Sequence, residues 1–155
     1  MRKKRNYKRD HEGDIEFNNV AIGRFINAIM KDGKKSVAEA IFYEAFENVK
    51  KITKEDPLVI FNKAIENAQP LVEVSSKRVG GANYQVPREV RPDRKFMLAT
   101  RWIIGAARAK KGKGMANKLA EEIVAASKNE GIAIKKKQDI HRMAEANRAF
   151  AHFSW

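Results

Sequence analysis

Apolar residues recur at helical spacing along most of this chain and alternate one-by-one through a single stretch. Ile22, Phe25, Ile26 and Ile29 predict a first helix. It starts near Asn18 or Asn19, either of which suits a cap, and stops at Asp32-Gly33. Ser36-Val37-Ala38-Glu39 reads as a capping box opening a second helix, with Val37, Ile41, Ala45, Val49 and Ile52 as its apolar stripe. Asp56-Pro57 opens a third, whose buried face is Leu58, Phe61, Ile65 and Ala68 and whose end is Pro70. The period then drops to two. Val72 and Val74 alternate with polar neighbours, as do Tyr84, Val86, Arg88 and Val90, and Gly80-Gly81 lies between them. This predicts a hairpin of 71–79 with 83–90, an edge at Pro87, and an arm over 71–90 with little core of its own. Pro92-Asp93 begins a fourth helix running to about Lys110, with Phe96, Ala99, Ile103 and Ala107 on one face and Arg94, Arg101 and Arg108 along the opposite edge. Met115, Leu119, Ile123 and Ala126 define a fifth helix, closed by Asn129-Glu130-Gly131. A sixth runs from near Ile134 to about Ala149 and leads into Phe150, Phe153 and Trp155. The expected fold is mainly α: a six-helix bundle with one protruding two-stranded β-hairpin arm between the third and fourth helices. The 155 residues are expected to form one domain, with 1–14 as a flexible basic arm and 132–155 as a C-terminal helix and aromatic tail.

Charge turns this architecture toward a partner. The net charge is +13. Residues 1–9 contribute six cations and no acid, through Arg2, Lys3, Lys4, Arg5, Lys8 and Arg9. Residues 77–118 hold twelve cations against Glu89 and Asp93, while the rest of the chain holds 14 cations and 17 acids. A surface that merely stays soluble mixes its signs; these two stretches do not, and they point to a polyanion. The absence of cysteine excludes disulfides and thiolate chemistry. No apolar stretch follows the basic N-terminus, so a secretory signal is not expected, and Trp102 to Ala107 is too short to span a bilayer.

The hairpin carries the sharpest constellation. Lys77, Arg78 and Arg88 flank a tip of Val79, Gly80, Gly81, Ala82, Asn83 and Tyr84. A glycine tip brings backbone close to a phosphate, and Tyr84 offers a face for an unpaired base. Lys110, Lys111 and Lys113 add a basic loop, and Lys34 and Lys35 stand beside a helix start that favours anions. Asp32-Gly33-Lys34-Lys35-Ser36 resembles the end of a nucleotide-hydrolase loop, but no strand precedes it. His11, His141 and His152 make no metal-ligand spacing, and Glu121-Glu122 point in different directions on one helix, so they are a poor acid–base pair. Trp102 reads as core-edge packing. The tail aromatics fit equally a cap on the core and a stacking surface.

Longer motifs carry a resemblance. They are Asp32 to Ser36; Lys77-Arg78-Val79-Gly80-Gly81-Ala82-Asn83-Tyr84-Gln85-Val86-Pro87; Arg91-Pro92 leading into Leu98-Ala99-Thr100-Arg101-Trp102-Ile103-Ile104; and His141 through His152. In this order, over almost the full length, the chain resembles the bacterial small-subunit ribosomal protein seven family. The resemblance implies six helices with a β-ribbon. It implies direct binding to the 3′ major domain of small-subunit ribosomal RNA, nucleation of subunit-head assembly, and a cytoplasmic, ribosomal location. It also implies proximity to exit-site transfer RNA and the messenger path, with the ninth and eleventh small-subunit proteins as neighbours. Some members repress translation of their own messenger. Carried onto this chain, the RNA-facing set is the 1–9 arm, Lys34, Lys35, Lys77, Arg78, Arg88, Arg91, Arg94, Arg101, Arg108, Lys110, Lys111, Lys113 and Met115. The tip from Val79 to Tyr84 is expected near the exit site. Lys135, Lys136, Lys137, Arg142 and Arg148 of the sixth helix are expected to face transfer RNA or the eleventh protein. The family often ends Tyr-Arg-Trp, whereas this chain ends Phe153-Ser154-Trp155, so a contact by that Arg is not carried over.

Two other classes fit parts of this pattern. A DNA-architectural protein grips duplex with a β-arm, but such arms wedge an apolar residue between base pairs and this tip is Gly-Gly. An RNA-modifying enzyme needs a cofactor fingerprint, and none is present in the sequence. No cofactor, metal, membrane or small-molecule substrate is expected.

Overall fold

The structure, a computed structural model, describes residues 11–153. The Arg2–Arg9 arm and Trp155 therefore lie outside the described residues. The element order is α1 (Val20–Ile29), α2 (Lys35–Thr53), α3 (Pro57–Ala68), β1 (Val72–Val79), β2 (Ala82–Glu89), α4 (Pro92–Ala109), α5 (Met115–Ser127) and α6 (Ile132–Ala146), then a 3₁₀ tail segment, Arg148–Phe153. This is the mainly α fold with a hairpin between the third and fourth helices that the periodicity predicts.

The helix starts follow local chemistry where a side chain can accept. Asn19 accepts from the Ala21 N–H at 2.8 Å, and Asp56 accepts from the Leu58 N–H at 2.9 Å just before Pro57. The predicted capping box does not form. α2 begins at Lys35 with Lys34 as its cap residue and no side-chain cap bond, so Ser36 already lies inside the helix. Glu39 pairs instead with Lys35, at 3.8 Å. The buried face of α2 is rotated as well. Ala38, Phe42, Ala45, Phe46 and Val49 face inward, whereas Val37 and Ile52 are exposed. Two apolar stripes compete on this helix, and the one carrying two phenylalanines removes more area from water. α1 stops at Ile29, earlier than Asp32-Gly33; those two residues, both at positive φ, make the turn that follows. α6 likewise stops at Ala146 rather than near Ala149, and the chain tightens into the 3₁₀ tail.

α5 is the central helix, packed against α2, α3 and α4. Leu119, Ala120, Ile123 and Ala126 are fully buried, and the alanines let the neighbouring helices approach closely. A second knot is aromatic: Phe25 meets Phe61 edge-on at 5.1 Å, and Phe42 lies 4.3 Å from Phe46 between ring centroids. Trp102 packs at the core edge, as its spacing suggests.

The hairpin pairs Val72 with Glu89 through Val79 with Ala82, and Gly80 and Gly81 both take positive φ at its tip. It is less free than an isolated ribbon. α6 and the tail segment pack on it, and Val86 and Val90 are buried. Asp14, the last residue of the expected flexible arm, is buried. It accepts from the Tyr43 hydroxyl at 2.6 Å and from the backbone N–H groups of Glu16 and Phe17. Burial, then the Asp14 contact, pushes the Tyr43 hydroxyl pKa far above its ordinary value.

Candidate nucleic-acid interface

α4 turns its apolar residues to the core and leaves Arg94, Arg101 and Arg108 along its outer edge. α1 lies beside it and supplies Arg24, whose guanidinium sits 4.6 Å from the centroid of the Phe96 ring. Between the two helices runs a groove of about 430 Å³ containing Arg24, Arg101 and Arg108. Toward the start of α4, Arg24 and Met97 also line a second hollow with Arg91, Asp93 and Arg94. At the other end Arg108 also lines a cleft with Lys31, Lys34 and Met115. Arg91, Arg94, Arg24, Arg101, Arg108 and Lys34 thus follow one another along connected hollows. Residue counting by segment missed Arg24 and Lys31, since their neighbourhood is near neutral. A helical wheel would have found Arg24, which shares a face with Ala28 at i and i+4, but not Lys31, which lies beyond the end of α1.

Other cations in the predicted set have partners inside the protein. Glu73, itself buried, receives Arg88 Nη2 at 2.8 Å and Arg94 Nε at 2.6 Å. Its burial alone would raise its pKa, but the hydrogen bonds and charges of Arg94 and Arg88 outweigh that and hold the carboxyl below its ordinary value. Lys110 Nζ lies 3.0 Å from Oε2 of the fully buried Glu122, though the angle is poor for a hydrogen bond. The other oxygen of Glu122 accepts from the Ala133 N–H at 3.0 Å and so caps α6 from a distance. Lys113 hydrogen-bonds Glu121, which pulls the Glu121 pKa down. Lys35 pairs with Glu39. Among the described residues no carboxylate pairs with Lys34, Arg78, Arg91, Arg101 or Lys111.

The hairpin tip is exposed from Gly80 to Asn83, with Val79 and Tyr84 half-buried. Tyr84 does not offer an open face. Its ring packs 5.1 Å from Phe150 and 5.4 Å from Phe153, and Lys77 Nζ donates to the Phe153 carbonyl at 3.0 Å. Phe150 and Phe153 therefore cap the hairpin rather than the helical core. On α6, Lys135 and Lys136 are exposed, but Lys137 turns inward and donates to the Asn67 carbonyl at 2.7 Å, where burial lowers its pKa. Arg142 pairs with Asp139 at 3.9 Å. Arg148 belongs to the tail segment, beyond α6, and lies 3.4 Å from Glu145. His141 is structural: Nε2 accepts from the Leu71 N–H at 3.1 Å, and burial, aided by Lys137, lowers its pKa.

The cationic strip lies on a helical bundle that carries a β-ribbon. The family model for ribosomal protein S7p/S5e matches residues 1–148. The chain belongs to the ribosomal protein S7p/S5e family. Three relatives, each called small ribosomal subunit protein uS7, are similar over nearly all of their length. The one from Thermotoga maritima is 56% identical over 155 residues, all of both chains. That of Leptospira biflexa is 54% identical over 144 residues, 93% of this chain and 92% of its own. That of Bartonella quintana is 53% identical over 154 residues, 99% of each. As an S7p/S5e member the chain is a ribosomal protein and not an enzyme. Among the described residues no helix of this S7p/S5e chain is long and apolar enough to cross a membrane.

Proposed function

We propose that this chain is a structural constituent of the small ribosomal subunit that binds the 3′ major domain of its ribosomal RNA directly and nucleates assembly of the subunit head. The observation that carries this reading is the strip from Arg91 through Arg24, Arg101 and Arg108 to Lys34, lying along connected hollows between α1, α4 and α2. The chemistry is phosphate neutralisation matched to a folded RNA shape. A helix does not read the narrow major groove of A-form RNA, so duplex base edges are not its target. The exposed tip, Gly80 to Asn83, reaches toward exit-site transfer RNA and the messenger path, and the exposed Lys135 and Lys136 face transfer RNA or the eleventh small-subunit protein. The ninth protein is the other neighbour.

The test is binding of 3′ major domain RNA across a salt series. If about 6–10 phosphates are neutralised, affinity drops by about three to five orders of magnitude between 50 and 200 mM salt. A near-flat response overturns the reading. Duplex DNA competing as well as the folded RNA would instead favour an architectural DNA protein.

A further inference from the structure

The groove between α1 and α4 is built of two unlike parts. Its rim is cationic, with Arg24, Arg101 and Arg108, and none of its lining residues is acidic. Asp93 lies outside it, 4.0 Å from Arg24 and almost fully exposed. Its inner surface is apolar, with Ala28, Phe96, Met97 and Ile104. Gly105 keeps that surface open: a Cβ placed there meets nothing within 4 Å. Thr100 also lines the groove; it is buried, and its hydroxyl has no hydrogen-bond partner. A buried unpaired hydroxyl is costly and uncommon.

A phosphate by itself makes no use of the apolar surface. An apolar side chain from a protein partner leaves three guanidinium groups facing one space without an anion. One ligand meets both halves, a nucleotide whose base has left its stack. Its flat ring stacks on the Arg24 guanidinium that lies over Phe96, and its phosphates lie against Arg101 and Arg108, while the Thr100 hydroxyl stays sealed beneath. The volume of about 430 Å³ falls in the range of roughly 300–1,000 Å³ taken by clefts for small ligands.

We propose that the α1–α4 groove captures a single unstacked nucleotide of the bound RNA, the base seated against the Arg24–Phe96 pair and Met97 and the backbone held by Arg101 and Arg108. This deepens the RNA-binding reading and rests on it. The site makes the protein a sensor of one bulged or looped position, and not only of phosphate density.

The experiment uses the full chain and 3′ major domain RNA. Gly105→Leu fills the groove without touching a charge, and leucine is favoured over glycine in a helix. The expected result is about tenfold weaker binding, in keeping with the loss of one stacked base, at an unchanged salt slope. Ultraviolet crosslinking of the unmodified protein should join one nucleotide to the 96–105 segment. Wild-type affinity of Gly105→Leu, or crosslinks only elsewhere in the chain, overturns base capture while leaving the RNA reading intact. Loss of salt dependence in the unmodified protein overturns the RNA reading itself. If Gly105→Leu keeps full RNA affinity but no longer takes up another small-subunit protein, the groove is a protein-docking site and base capture is wrong. Should Gly105→Leu fold poorly, the crosslink decides alone.

Discussion

Two sets of cations, alike in sequence, do different work in this molecule. Arg88, Arg94, Lys110 and Lys113 lie against Glu73, Glu121 or Glu122. Arg91 and Arg101 have no carboxylate partner among the described residues, and Arg108 spends one nitrogen on the Ile29 carbonyl at 3.0 Å. The first set ties elements together: β1 and β2 to α4 through Glu73, and the α4–α5 loop to α5 through Glu121 and Glu122. The second set has no such internal carboxylate and, on the proposed reading, is left for the phosphates of RNA. The contrast teaches that a basic stretch of sequence is not yet a binding surface. Acids far away in sequence remove part of it, and only the remainder is available to phosphate.

Substitutions break or sharpen this contrast. The largest effect is expected from Glu122→Ala, which strips α6 of its distant cap and leaves Lys110 facing a void; unfolding in urea should show a loss of about 3 kcal/mol. Glu73→Gln should cost about 1–2 kcal/mol, since Arg88 and Arg94 each keep only a neutral acceptor, and amide exchange at the hairpin base should quicken. Phe153→Ala should cost about 1 kcal/mol through lost ring contacts, with faster exchange confined to β2 and the tail. Arg91→Gln with Arg101→Gln should leave stability within about 0.5 kcal/mol of the parent yet reduce the salt slope of RNA binding by about two. If that double variant instead melts early with an unaltered slope, the division into tying and ready cations fails. Replacing Lys50, Lys51 and Lys54 with Ala is the smallest expected change, with RNA affinity near that of the parent.

Acid should loosen the hairpin in two steps. His141 has a lowered pKa in the folded protein, so the unfolded chain takes up its proton first and the stability it contributes is lost as pH falls below about 6.5. Protonated Nε2 can no longer accept from Leu71. Glu73 also has a lowered pKa, so its contribution, full above the ordinary value of 4.5, is lost as pH falls below that value. Hydrogen exchange at Leu71 and Val90 across this range is the measurement; pH-independent protection there would contradict both assignments.

Much of the fold was legible before any coordinates. Helix number, the hairpin with its Gly80-Gly81 turn and Ala99, Ile103 and Ala107 on the inward face of α4 follow from local periodicity and turn chemistry, which act within a few residues, whereas Phe96, expected on that face, is half-buried and lines the groove beneath Arg24. The same locality explains the errors. Val37 and Phe42 stand on competing stripes of α2, and which one is buried depends on Phe25 and Phe61, which belong to other helices. Tyr84 reads as an open stacking face until Phe150 and Phe153 arrive from 66 and 69 positions further along.

By itself, then, the sequence determined the class of the fold, the sign of the partner and the family, because periodicity, net charge and motif order are properties of the chain alone. Only the tertiary structure decided which cations face outward, that Arg24 joins Arg101 and Arg108, and that Lys137 and His141 serve the scaffold. The reason is distance. Coulomb attraction and burial act between groups that folding brings within a few ångströms, and their separation along the chain says little about that.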